Sequence, residues 1–174
     1  MNSFLTKIEL HKIGFKHLGE NTKISRLANF YSPNKISIGN NVRIDDFCIL
    51  SGNITLKNNI HISAYSALYG NTGIVLENNT GISSGCVLFS ETDDFTSSSL
   101  IGSQHMESKR KIIKGEIILE EHSQLGTKSV VMPGITIQEG AVTGAFTFVN
   151  LNLNPWSVYV GSPAKYLKSR LRIK

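Results

Sequence analysis

Residues 36–62 read ISIGNNVRIDDFCILSGNITLKNNIHI. An aliphatic side chain returns at every sixth position, as Ile38, Ile44, Leu50, Leu56 and Ile62. Four residues after each of the first four stands a small or β-branched side chain: Val42, Cys48, Ile54 and Ile60. Turn formers fall between, in Gly39-Asn40-Asn41 and Lys57-Asn58-Asn59. A period of six matches neither the 3.6-residue turn of a helix nor the two-residue alternation of a strand. It matches a parallel β-solenoid with triangular coils of three hexapeptides each, short strands forming the sides and turn residues the corners.

The rhythm extends in both directions. It reaches Leu68, resumes after a two-residue slip at Leu76, Ile82 and Leu88, and returns after a long interruption as Leu119, Leu125, Val131, Ile137, Thr143 and Val149. Thr143 is its one departure from an aliphatic residue. The companion slot holds Ser66, Thr80, Cys86, Ser123, Ser129, Ile135, Ala141 and Thr147. The large residue points inward and stacks on its copy in the next coil. The small one also points inward, near a corner where space is short. Both cysteines, Cys48 and Cys86, occupy that slot, which suits a buried thiol acting as a small hydrophobe. Each coil covers its aliphatics only against its neighbours, so the stack needs caps. The expected division is a cap segment at 1–34, the β-helix at 35–150 with an inserted loop at about 90–112, and a C-terminal segment at 151–174. In the last segment Pro163 offers a helix start, and AKYLKSRLRIK reads as a short basic helix.

The chain has 174 residues, 40% hydrophobic and 18% charged, the make-up of one globular domain. No apolar run is long enough for a membrane span, and MNSFLTKIELHK lacks the features of a secretory signal. A cytoplasmic protein is expected. The net charge is +5, with Lys165, Lys168, Arg170, Arg172 and Lys174 crowded at the end. Such a tail suits nucleic acid, an anionic membrane, a phosphorylated cofactor, or solvent alone.

The stretches LGTKSVVMPGITIQEGAVTGA (125–145) and VYVGSPAKYLK (158–168) resemble the hexapeptide-repeat acyltransferases, in particular the ends of the galactoside, maltose and virginiamycin acetyltransferases. IGNNVRIDDFCILSG (38–52) and SETDDF (90–95) look like the sugar O-acetyltransferases of surface-polysaccharide pathways. The likeness spans roughly residues 35–170. It implies an all-β, left-handed parallel β-helix, a homotrimer with active sites in the clefts between subunits, and acetyl-CoA as donor without a metal. It also implies CoA contacts: Gly126, Thr127 and Ser129 with the pantetheine, Gly144 and Ala145 one coil later, and Lys165 and Arg170 with the phosphates. On that reading the basic tail serves a cofactor rather than nucleic acid.

The interruption opens with FSETDDF (89–95), which sets Glu91, Asp93 and Asp94 within four positions. Long loops on a compact scaffold are commonly functional. Galactoside-type relatives carry a catalytic histidine early in this extension. Here Asp93 falls at about its place, so that base does not carry over. Acyl transfer to a hydroxyl needs a proton acceptor and donors for the developing oxyanion. His122, just before the CoA-like stretch, is the favoured base, with Asp93 or Asp94 fixing its tautomer. His61 is the other histidine on the coils, and Asp93 itself is a third candidate. Asp45 and Asp46 read as corner residues.

The expected function is acetyl transfer from acetyl-CoA to a sugar hydroxyl in polysaccharide or O-antigen (lipopolysaccharide) biosynthesis, the acceptor being a sugar, a nucleotide sugar or a glycan. The alternative is N-acetylation of a nucleotide-linked amino sugar. A zinc lyase on this solenoid would need three converging histidines, whereas His61 and His122 stand isolated. A non-catalytic trimeric scaffold fits the PGITIQEGAVTGA and GSPAK segments poorly.

Overall fold

The computed structural model describes residues 3–172. The chain winds into about seven stacked coils with three flat sides. The first side holds the two-residue strands Lys23–Ile24, Arg43–Ile44, His61–Ile62, Gly81–Ile82, Gln124–Leu125 and Val142–Thr143, in parallel register. The second stacks Asn29–Tyr31, the first halves of Ile49–Leu56 and Ala67–Leu76, Val87–Phe89, Val130–Val131 and Phe148–Val149. The third runs from His17–Leu18 through Ile36–Ile38 and the later halves of the two long strands to Ile117–Leu119 and Thr136–Ile137. One continuous core lies inside, where the six-spaced aliphatics from Ile38 to Val149 are buried. Thr143 keeps the inward slot as a polar member, its hydroxyl accepting from Gly126 N at 2.8 Å.

The first coil starts earlier than the repeat alone placed it. His17 pairs with Ser37, Lys23 with Arg43 and Asn29 with Ile49. Leu18, Ile24 and Phe30 already keep the six-residue step, which the mixed polarity around them hides. Ahead of them the helix Lys7–Ile13 is capped by Thr6 and Glu9 in a reciprocal capping box and ended by Gly14 in the left-handed region. It turns Leu10 onto the core, and Arg26 grips Glu9 through two hydrogen bonds of 2.6 and 2.8 Å.

The expected C-terminal helix is a strand instead. Lys165–Ser169 turns back antiparallel on Ser157–Val160. The reason lies in the backbone: the last coil exposes a row of unpaired amides and carbonyls, which a strand satisfies and a helix would not. Ile173 and Lys174, the end of the predicted helix, lie outside the described residues.

The three corners differ. The corner leading into the first side holds Asn21, Asn41, Asn59 and Asn79, all with φ between 56 and 60°. Asparagine tolerates this left-handed conformation better than most side chains. Their side-chain amides bond coil to coil: Asn21 to Asn41 at 3.3 Å, Asn41 to Asn59 at 3.0 Å, and Asn59 to Asn79 at 3.0 Å. The next corner holds Phe47, Tyr65, Gly85, Lys128 and Phe146, again all at positive φ. The inserted loop leaves from the third, between Phe89 and Gly115.

Candidate active site

The loop is an ordered hairpin. Glu91–Asp93 pairs antiparallel with Ile112–Lys114. Arg110 donates to both oxygens of Asp93, at 2.8 and 3.0 Å, and Gly102 N adds a third bond at 3.0 Å. Asp94 accepts from the Thr96 hydroxyl at 2.6 Å and the Thr96 amide at 2.9 Å, and pairs with Lys111 at 2.9 Å. Hydrogen bonding from Arg110 holds the Asp93 carboxyl below its ordinary range. The Thr96 hydroxyl, then Lys111 and the Thr96 amide, bring Asp94 to about 2. Both groups are therefore ionised, well-satisfied carboxylates and weak proton acceptors. That argues against Asp93 as base.

The expected partnership of His122 with these carboxylates does not form within the chain. His122 continues the asparagine corner, at φ 61°, one corner away from the loop's exit. Its Nε2 lies 3.9 Å from Glu121, and its ring 6.3 Å from that of Trp156. Arg170 serves this corner. Its Nη1 donates to the carbonyls of Gly140 at 2.9 Å and His122 at 3.3 Å, and its guanidinium covers the Trp156 ring at 5.5 Å. The end of the solenoid needs these carbonyls satisfied, and a planar cation on an indole supplies that.

His61 is the histidine with a close acidic partner. Its Nε2 lies 2.8 Å from Asp45, whose other oxygen accepts from Arg43 Nε at 2.7 Å. Burial raises the Asp45 pKa, but His61 and Arg43 outweigh it and hold the carboxyl low. A cleft of about 380 Å³ opens here, lined by Ser3, Phe4, Arg43, Asp45, Asp46 and Ala64.

Four of the expected CoA contacts share the aromatic corner. Gly126 and Thr127 stand there, with Gly144 and Ala145 one coil on. Thr127 and Ala145 are exposed. The two glycines have a packing reason as well: a Cβ on Gly126 would sit 2.5 Å from the Gly144 carbonyl carbon, and one on Gly144 2.8 Å from Val160. Ser129 is displaced from the expected role. It is fully buried, and its hydroxyl is engaged by the Gly126 carbonyl at 2.7 Å and Thr143 at 3.0 Å. Its inward slot dictates this. Lys165 is exposed on the capping strand, and the turn before it bonds through its backbone to Phe148, two residues past the aromatic corner.

Sequence reasoning passed over Ser84. It is exposed at the aromatic corner, immediately before Gly85, and its carbonyl accepts from Lys128 N at 2.9 Å. The signal available was Gly85, which stands where the neighbouring coils carry Tyr65 and Lys128 and so leaves the adjacent Ser84 uncovered.

No family profile matches the chain. The dTDP-4-amino-4,6-dideoxy-D-glucose acyltransferase of Escherichia coli is 36% identical over 97% of this chain and 89% of its own length. The chain belongs to the hexapeptide-repeat acyltransferases. AntD, an N-acyltransferase from Bacillus cereus, is 43% identical in sequence and superposes with a TM-score of 0.97 over 99% of this chain and 92% of its own. It was crystallised with dTDP-4-amino-4,6-dideoxyglucose and coenzyme A, and with dTDP and 3-hydroxybutyryl-CoA. Its solved forms include replacements of a serine and of an aspartate. The acetyltransferase domain of PglB from Neisseria gonorrhoeae, 17% identical with a TM-score of 0.65 over 84% of this chain and 57% of its own, shares the fold. These findings support an acyl-CoA-dependent acyltransferase and move the acceptor from the expected hydroxyl toward an amine. Among the described residues no helix is long and apolar enough to cross a membrane.

Proposed function

We propose that the protein transfers an acyl group from a CoA thioester to the amino group of a nucleotide-linked deoxy amino sugar, with dTDP-4-amino-4,6-dideoxyglucose as the first acceptor to try. One observation carries the reading: the likeness to the E. coli enzyme and to AntD runs over nearly the whole chain. In the reaction the amine nitrogen bonds to the thioester carbonyl carbon, the carbon–sulfur bond breaks, and the amine's proton leaves with the thiol. A neutral amine is a better nucleophile than a hydroxyl, so the site has less need of a strong base. That suits a chain whose loop carboxylates are held strongly acidic.

The aromatic corner is the proposed track. The cofactor runs along Thr127 and Ala145 toward Lys165, and the acyl end meets the amine beside Ser84. Asp94, carried by the loop, is the candidate carboxylate that orients the amine, and Ser84 and Asp94 are this chain's candidates for the serine and aspartate replaced in AntD. A homotrimer would bring one subunit's loop to its neighbour's corner. The second side is suited to such contact, with Ile49, Tyr69, Val87, Phe89 and Val130 all directed outward and the Tyr69 and Phe89 rings stacked at 5.4 Å. Light scattering of the purified chain checks that assembly.

The test of the activity is thiol release from acetyl-CoA and 3-hydroxybutyryl-CoA with dTDP-4-amino-4,6-dideoxyglucose, the amide being identified by mass. Turnover with the amine, and none with a dTDP sugar bearing a hydroxyl in its place, is expected. The reverse preference would return the reading to an O-acyltransferase.

A further inference from the structure

The two-residue slip of the repeat between Leu68 and Leu76 and the long interruption after Leu88 fall at the same corner of adjacent coils. Val87–Phe89 pairs with the first half of Ala67–Leu76 and Ile117–Leu119 with its later half, so the inserted hairpin leaves directly above the slip. One coil further down, Gly52 pairs with Gly70 and Ile54 with Ile74, which sets Asn71, Thr72 and Gly73 against the single residue Asn53. The slip is therefore a bulge of two extra residues. Bulges are common beside functional sites, because they re-aim a side chain where they break the ladder.

The residue re-aimed here is Thr72. It reaches up to Ser90, which stands just before the outgoing strand of the hairpin. Thr72 N donates to the Ser90 hydroxyl at 3.0 Å, and the Thr72 hydroxyl donates to the Ser90 carbonyl at 2.5 Å. Ser90 is fully buried, and its amide and hydroxyl both donate to the Tyr69 carbonyl at 3.0 Å. Its carbonyl also accepts from Gly115 N at 3.0 Å, where the hairpin returns. The two roots of the hairpin are thus tied to each other, and one of them is clamped to the coil below. Beyond the roots the hairpin pairs its charges internally: Arg110 with Asp93, Lys111 with Asp94, and Lys114 with Glu91 and Glu107. Those pairs fix Asp94 within the hairpin and leave the direction of the hairpin to its root.

Asp94 lies four residues beyond Ser90, roughly 13 Å along an extended strand. A tilt of about 10° at the root would carry its carboxylate about 2 Å sideways, where a misplacement of about 1 Å can lose roughly 100-fold in rate. We propose that Thr72 and Ser90 are positioning residues for acyl transfer, holding the root of the hairpin so that Asp94 meets the acceptor amine. The proposal rests on the N-acyltransferase reading, with Asp94 orienting the amine, and goes beyond it by giving the bulge a task in the reaction. Packing alone does not ask for this pair. The coil below turns the same corner through Gly52-Asn53 without extra residues, and an alanine in place of Ser90 would leave no hydroxyl to satisfy.

The experiment uses full-length Thr72→Val and Thr72→Ser, each with Asp94 intact and with Asp94→Asn. Thr72 is exposed, so valine keeps its shape at little risk to folding. Thr72→Val is expected to lower kcat with dTDP-4-amino-4,6-dideoxyglucose about tenfold, with KM for acyl-CoA within about twofold of wild type. Thr72→Ser keeps the hydroxyl and restores the rate. The decisive readout is the coupling to Asp94. Once the hairpin is misaimed, Asp94→Asn should lower kcat far less in the Thr72→Val background than in wild type. Losses that simply multiply would mean that Thr72 acts elsewhere and would overturn the proposal. So would a Thr72→Val protein with lowered Tm and undiminished kcat, which would make the clamp a packing feature. If Asp94→Asn slows the wild type while Thr72→Val turns over normally, this proposal fails and the reading beneath it stands. A wild type that acylates no nucleotide-linked amino sugar, or an Asp94→Asn protein that turns over normally, defeats that reading and this one together.

Discussion

Two corners of one solenoid meet the same backbone requirement with opposite chemistry. At the first, Asn21, Asn41, Asn59 and Asn79 take positive φ and link the coils through their amides. At the second, Phe47, Tyr65, Lys128 and Phe146 take nearly the same φ and turn their bulk to solvent. The backbone need is therefore not what selects the residues at the second corner. The same geometry has a stabilising solution one corner away, so the exposed side chains of the second corner are not there to relieve backbone strain.

The strongest way to break this comparison is to move the second corner's chemistry to the first. Asn59→Leu removes two side-chain bonds, one from each neighbouring coil, and places a poor residue in the left-handed region. A loss of about 2–3 kcal/mol in urea denaturation is expected from these contributions. Tyr65→Asn, the converse exchange, should leave stability equal or higher. If both exchanges destabilise alike, the two corners do the same work and the contrast fails.

Much of this architecture was legible in the sequence, because a six-residue period is a direct statement about which side chains meet. The inward slots from Ile38 to Val149 follow it, Thr143 included. Where a slot decides a role, as with buried Ser129, the repeat was a better guide than the family likeness that assigned it to pantetheine. The ends were less legible. Leu18 and Ile24 keep the period for too short a run to stand out, and the residues from Lys165 read as helical by local pattern although the open edge of the last coil demands a strand. The site was least legible, because it depends on which residues share a corner. His122 and Asp94 are near in sequence pattern yet stand at different corners, while Ser84, Tyr65 and Lys128 converge from three coils.

The third corner sharpens the contrast from another direction, because its loop is held by charge. Asp94, drawn down to about 2 by Thr96 and Lys111, is a carboxyl whose folded pKa lies below its unfolded one. Such a group contributes stability that is complete above its unfolded pKa of about 4 and is lost as the pH falls through about 2. Asp93, lowered chiefly by Arg110, acts in the same sense. Hydrogen exchange across this range should show residues 93–111 losing protection first. The asparagine ladder from Asn21 to Asn79 is built of amide–amide bonds, meets a carboxylate only at its end, where Asn79 donates to Glu121 at 2.8 Å, and should hold its protection until the fold as a whole gives way. Loss of both together would mean that the loop is held by packing rather than by its carboxylates.

The smallest expected effect tests where the first corner ends. His122 has the φ of the asparagines below it, and the chain makes its most specific use of the residue through the backbone, whose carbonyl accepts from Arg170. His122→Asn restores the ladder's own residue and keeps that carbonyl, so stability should change by no more than about 0.5 kcal/mol. Turnover should stay within about threefold of wild type, since asparagine cannot serve as a general base and a base would be worth roughly 100-fold or more. The pH profile of kcat/KM adds a readout that corner geometry does not move. If His122 were the base, its variant would lose the acidic limb along with the rate. An unchanged limb would assign His122 to the scaffold, leaving His61, already oriented by Asp45, as the histidine to change next.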